Sequence, residues 1–297
     1  MITHTTSMLT ERISCLSANH ETDRPALAGI WGDRGTLVVD AGNSPSHARL
    51  MLDMLAQRQA ANRIGGSSTE NHACSHTFVV LTHWHWDHVF GAKAMNLPII
   101  AQEYTNTMIR RMMTYDWTDE ALDQRVEEGI EVTFCSDMIK KEFPHNRDDI
   151  QLIPPHIVFQ DKLTLDLGGL TCHIHRVGGD HTEDSTIVYV EEDKTLFLGD
   201  CLAPDLYLPK WTFTVQGVLA LVEKLAAYDA DIIVESHTDP VDRATFARQL
   251  EDLRLTALAV KEWGAQEMKV REALAQSLGR NLSDDDMETI QYFMNGL

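Results

Sequence analysis

Three histidines and an aspartate, His83, His85, Asp87 and His88, fall within six positions, directly after the apolar run Phe78 to Leu81. Imidazole nitrogens and carboxylate oxygens are the ordinary ligands of zinc and other divalent ions. While the chain stays extended its side chains alternate sides, so His83, His85 and Asp87 project to one face and Trp84 and Trp86 to the other. His88 joins the first group if the chain turns after Asp87. Four such groups from one segment exceed what a single zinc ion needs, and two metals are the natural inference.

A histidine-rich run can also be a solvated loop, and with 14 histidines in 297 residues the chain has many to spare. Placement argues against that, because this run follows a buried strand, and strand ends are where α/β proteins build their sites. Three further strands are each associated with a ligand-capable residue: His181 in the turn Gly178-Gly179-Asp180-His181-Thr182, Asp200 after Thr195 to Gly199, and His237 after Asp231 to Glu235. Each alone would pass for a turn or capping residue. Together with the first cluster they make five histidines and two aspartates, enough for two ions.

These residues need strands to present them. A hairpin is expected from Leu27 to Trp31 and Thr36 to Val39, ending in Asp40-Ala41-Gly42, after an early strand near Ile13 to Leu16. A helix from about Ser46 to Ala60 and a polar loop over 62–71 lead to the strand at Phe78, which implies a crossover unit. A short strand follows at Leu97 to Ala101. Residues 104–155 read as an insert, with helices around Ile109 to Met113 and Leu122 to Val126 and an irregular Phe134 to Phe143. Strands return at 157–160, 163–167, 171–177, 185–190, 195–199 and 231–235, with a helix at about 215–228. Asp239-Pro240 suits an N-cap and first helical residue, two helices break near Gly264, and Ser283 caps a last one. This gives a main domain over 1–240 and a helical extension over 241–297 packed on it or forming a dimer contact.

The formal charge of −20 repels phosphate backbones and anionic membranes, so a small-molecule substrate is expected rather than nucleic acid or lipid. Five widely spaced cysteines without a C-x-x-C pair read as reduced thiols. With no apolar stretch of signal-peptide or membrane-spanning length, the expected compartment is the cytoplasm.

In order and wording, His83-x-His85-x-Asp87-His88, the glycine-rich turn with His181, Leu-Phe-Leu-Gly-Asp200 and Ser-His237 resemble the motifs of the metallo-β-lactamase-fold hydrolase superfamily. Asp40-Ala41-Gly42 looks like that family's first strand-end motif, Asp-Thr-Gly. The likeness covers roughly Leu27 to Pro240. It implies an αββα sandwich of two mixed sheets with helices outside. It also implies that His83, His85 and His181 hold one metal, Asp87, His88 and His237 the other, and Asp200 bridges them. Zinc is the leading choice, with iron or manganese as alternatives.

The chemistry then implied is hydrolysis of a small ester, lactone, thioester or amide by a metal-bridging hydroxide, with Asp87 orienting the nucleophile and carrying a proton to the leaving group. Two other readings stand beside it: a mononuclear non-haem iron persulfide dioxygenase, built on His83, His85 and His181, and a non-catalytic metal-binding scaffold. Where many relatives have Gly-His-Thr-Pro-Gly-Ser, this chain has Asp180-His181-Thr182-Glu183-Asp184-Ser185, whose added carboxylates read as solvated turn charges, with support of the metal ligands by Asp180 or Asp184 as the alternative. Cys201 should point away from the metals. Tyr207 and Lys210 are positional candidates for oxyanion donors. The apolar residues of the insert read first as a small core of its own, and Met112, Met113, Tyr115 and Trp117 are alternatively candidates for reading the substrate.

Overall fold

The computed structural model describes residues 4–64, 76–145 and 147–297. Most of the expected polar loop, from residue 65 onward, lies outside them. Two mixed sheets form the centre. The first runs β1 (Thr6–Thr10), β2 (Ile13–Leu16), β3 (Leu27–Trp31), β4 (Gly35–Val39), β5 (His76–Val80), β6 (Ile99–Gln102) and β7 (Ile157–Phe159) in that spatial order. Its first four strands pair antiparallel, and β4 to β7 pair parallel. The second sheet holds β8 (Lys162–Asp166), β9 (Thr171–Arg176), β10 (Thr186–Val190), β11 (Thr195–Gly199), β12 (Ile232–Glu235) and β13 (Val241–Asp242), in the reverse order from β13 to β8. Only β11 and β12 pair parallel there.

Strand alternation divides the apolar residues among three cores. Leu37 and Val39 of β4, Val80 of β5 and Phe197 of β11 meet between the sheets. Val38 and Val79, pointing the other way, pack under α1 (Pro45–Ile64) and α4 (Glu103–Met112) through Met51, Met54 and Ile109. Leu196 and Leu198 pack on the far side against α7 (Val215–Leu225), α8 (Arg243–Trp263), α9 (Glu267–Leu278) and α10 (Asp284–Asn295). The layers are therefore helix, sheet, sheet, helix, and the C-terminal helices share the outer core of the second sheet.

The structure differs from the sequence expectations in several places. Strand β5 stops at Val80, and Trp86 to Val89 form one helical turn, α2, so Asp87 is presented from a helix and not from an extended chain. Strand β1 had no clear apolar pattern, since its outer face is exposed. Phe134 to Phe143 is not irregular but belongs to α6 (Thr133–Glu142); its N-cap, Val132, makes no side-chain cap, so the usual start signal is missing. By contrast α5 (Asp119–Glu127) starts on a capping Thr118. The N-cap of α8 is Asp242, whose carboxylate accepts from Thr245 N at 2.7 Å, and not Asp239. Within the insert, Met112 and Trp117 are core residues, Trp117 packing edge-on against Phe90 at 4.8 Å between ring centroids.

Candidate metal centre

The loops at the ends of β4, β5, β11 and β12, with the β9 to β10 turn, meet at one edge of the sandwich. Thr186 N bonds Thr82 O at 2.8 Å, tying the two sheets together, and Ser236 N bonds Gly199 O at 3.3 Å between neighbouring strands of the second sheet. Gly199 has φ of +56°, and a Cβ there would sit 2.8 Å from Thr82, so glycine is required where β11 delivers Asp200. Gly91 lets the turn after His88 close on the Asp40 loop, where a Cβ would lie 2.1 Å from Ala41 O.

All seven expected ligands converge, in two groups. His83, His85 and His181 form one; Asp87, His88, Asp200 and His237 form the other; within each, the ligand atoms lie within 4.8 Å of one another. His181 Nε2 is 3.2 Å from His83 Nε2. Asp200 Oδ2 lies 3.4 Å from His88 Nε2, 3.3 Å from His237 Nε2 and 3.8 Å from His181 Nε2, which puts this carboxylate between the groups. Asp87 Oδ2 is 3.0 Å from His88 Nε2 and 3.2 Å from His237 Nε2.

Hydrogen bonds behind the rings decide which nitrogen carries a proton. His181 Nδ1 donates to the Pro204 carbonyl at 3.0 Å, so its Nε2 presents a lone pair. Thr82 Oγ1 donates to Asp40 Oδ2 at 2.9 Å and can therefore only accept from His83 Nδ1, 3.1 Å away, which leaves the His83 Nε2 bare as well. His88 Nδ1 donates to Asp40 Oδ2 at 2.8 Å. Two lone pairs thus face each other across 3.2 Å, and His85 Nε2 and Asp200 Oδ1 are buried with no hydrogen-bond partner among the described residues. Buried polar atoms left this way are costly unless a cation joins them. The donor set therefore fits divalent metal.

Electrostatics agree. Burial, and then neighbouring imidazoles, hold His83 and His85 well below the usual histidine range, and burial lowers His181. Burial opposes a proton on His88 and His237 too. It is outweighed at His88 by Asp87, Asp40 and Asp200, and at His237 by Asp200 and Asp87, so both rings are raised well above the usual value. Asp87 and Asp200 are held low by the same two rings despite their burial. Asp23 is pushed up to about 7 by burial and then by Asp87, and cations held beside Asp87 would oppose the second effect.

Further residues support the ligands from behind. Asp40, 1% exposed, also accepts from Thr82 N at 2.8 Å and so fixes both Thr82 and His88. Asp184, expected as a solvated charge, is fully buried and accepts from Thr105 Oγ1 at 2.7 Å and Thr182 Oγ1 at 2.6 Å. Thr182 in turn takes the Trp84 indole N–H at 3.0 Å. Of the oxyanion candidates, Tyr207 packs 5.2 Å from the His85 ring and donates its hydroxyl to Glu131 at 3.0 Å, whereas Lys210 is exposed. Glu131 is thus a residue of the insert that meets Tyr207, while Met113 is 47% exposed. Cys201 is buried in the outer core, as alternation required.

The metallo-beta-lactamase superfamily model matches residues 29–237. A metallo-beta-lactamase from Pontibacter korlensis is similar in structure, with 18% identity and TM-score 0.54, over 84% of this chain and 98% of that one. The inverting sec-alkylsulfatase Pisa1 from a Pseudomonas species gives 16% identity and TM-score 0.60 over 95% of this chain but 46% of its own, so this chain spans less than half of that enzyme. The DIM-1 metallo-beta-lactamase gives 15% identity and TM-score 0.55 over 84% of this chain and 95% of that one. At such identities the likeness is one of fold. No curated protein matches the chain in sequence.

Proposed function

Since the chain belongs to the metallo-beta-lactamase superfamily, we propose that it is a metal-dependent hydrolase working with two divalent ions, zinc foremost, on a small ester, lactone, thioester or amide. The observation that carries this reading is the second ligand group, Asp87, His88, Asp200 and His237, standing complete beside the first. The alternative, a mononuclear iron persulfide dioxygenase built on His83, His85 and His181, shares the His-x-His-x-Asp-His segment, and it is the complete second group that favours the two-ion hydrolase over it.

When bound, such ions would lower the pKa of water to about 7 and polarise the oxygen under attack. His83, His85 and His181 are neutral at physiological pH and free to donate Nε2 or Nδ1 lone pairs. Asp40, through His88 Nδ1, and Pro204, through His181 Nδ1, hold two of the rings in the ligating tautomer. Asp87 is ionised and nearly enclosed, 4% exposed, with Oδ2 pointing at the His88 and His237 ring nitrogens. It is the carboxylate placed to accept a proton from the attacking water and return it to the leaving group. The Tyr207 and Trp84 rings, 4.9 Å apart, form an aromatic wall beside His85 that would exclude water from that side.

The test is hydrolysis by the zinc-loaded protein of a panel of chromogenic esters, lactones, thioesters, β-lactams, phosphodiesters and, because one fold relative is an alkylsulfatase, alkyl sulfates. Turnover of an acyl substrate that a chelator abolishes and zinc restores supports the reading. Oxygen uptake with persulfides, and no hydrolysis, overturns it.

A further inference from the structure

His83, His88 and His181 each have a group that fixes the far ring nitrogen: the Thr82 hydroxyl, the Asp40 carboxylate and the Pro204 carbonyl. Behind His237 the group in that position is Asp23, whose Oδ1 lies 3.5 Å from Nδ1, while Nε2 of the same ring faces Asp87 and Asp200. Asp23 comes from the N-terminal turn, before the residues matched by the family model, which begin at 29. We infer that Asp23 is a positioning residue of the metal centre, holding His237 with Nδ1 protonated and Nε2 bare, as Asp40 does for His88.

The turn is built to put the carboxylate there. Asn19 and Arg24 close it with a pair of 2.9 Å backbone hydrogen bonds. Thr22 O accepts from the buried Asn43 side chain at 2.7 Å, which fastens the turn to the Asp40 loop. Two residues beyond it, Ala26 N bonds Ser236 O at 2.6 Å, which sets its register against the residue preceding His237. Arg24 is locked in turn by Glu142 at 2.6 Å and Ser46 at 2.7 Å. Asp23 itself adopts φ of +57°, a left-handed conformation that aspartate tolerates better than most residues but that still needs its surroundings to hold it. A carboxylate on the outer nitrogen of a metal-bound histidine fixes its tautomer and makes the inner nitrogen a better ligand.

The inference rests on the two-ion reading and is tested by zinc competition against a chromophoric chelator, using the full chain. Asp23→Asn keeps a residue suited to the left-handed backbone and removes the charge. One zinc equivalent should weaken by about 10- to 100-fold, with the other at its wild-type affinity, and Asp23→Glu should recover part of the loss. Both equivalents held as in the wild type would overturn the inference. So would both weakened alike, or a metal-free Asp23→Asn protein already less stable to heat than the metal-free wild type, since either means that Asp23 only braces the fold. A wild-type protein that takes up fewer than two equivalents would overturn the two-ion reading itself.

Discussion

Replacing Asp40 by asparagine should damage the metal centre through a residue that touches no ion. Asp40 Oδ1 accepts from Thr82 N at 2.8 Å, and Oδ2 accepts from both Thr82 Oγ1 at 2.9 Å and His88 Nδ1 at 2.8 Å. An asparagine fits the same backbone, whose φ of +62° it tolerates, but it offers only one oxygen. If its oxygen stays on Thr82 N, its amide N–H groups point at His88 Nδ1. That ring must then move its proton to Nε2, the nitrogen needed for metal. If the amide flips, a buried backbone N–H faces another donor, at a cost of about 1–3 kcal/mol in stability. The first arrangement should weaken one zinc equivalent by about 10- to 100-fold, or about 1.4–2.7 kcal/mol. Zinc competition against a chelator measures the affinity, and urea unfolding of the metal-free protein measures the stability. Wild-type values in both would refute the argument that Asp40 sets the His88 tautomer.

Asp87→Ala should lower kcat/KM by about 10²- to 10⁴-fold with circular dichroism unchanged, as expected for loss of a proton-transfer group; a variant with near wild-type turnover would remove Asp87 from the mechanism. Trp117→Ala should cost about 3–5 kcal/mol in unfolding experiments and reduce turnover of every substrate alike, because the ring fills core behind Phe90; selective loss on bulky substrates would instead put the ring in the substrate pocket. The buried pair Arg24 and Glu142 joins the N-terminal turn to α6, with side chains 8% and 2% exposed. Burial would raise the Glu142 carboxyl, but Arg24 and Ser44 outweigh it and hold it below its ordinary value of 4.5. Its stabilising contribution is therefore full above that value and lost as pH falls through the lower folded one. Glu142→Gln should cost about 3–5 kcal/mol at pH 7, and the gap to the wild type should narrow in acid. A gap constant with pH, read from urea unfolding across that range, would count against the pair.

The sandwich and the seven ligand-capable residues were legible because both leave local marks. Buried strands such as Leu196-Phe197-Leu198 are short apolar runs, and each runs straight into its histidine or aspartate. What lies behind those residues was not legible, because it comes from distant segments. Asp40 read as the end of a hairpin, and Asp23 belongs to a polar N-terminal stretch that offered no pattern. For Asp184 the sequence favoured one more charge in an acidic turn over support of a ligand, and only tertiary contact with Thr105, on α4, shows it to be buried. For Trp117 and Met112 a core role was the favoured reading and a place in the substrate wall the alternative, and the sequence could not decide because apolar side chains in an insert have no periodicity to say which core they fill. The one available signal was the aspartate that ends β4, in the strand-end position where the other site residues lie.

Metal content tests the central claim most directly. The protein purified without added metal or chelator, and then titrated with zinc, should hold two divalent transition-metal ions per chain, with Asp87→Ala and His237→Ala each impairing only one of them. A single tightly held iron per chain, unaffected by loss of Asp87 or His237, would contradict the two-ion hydrolase.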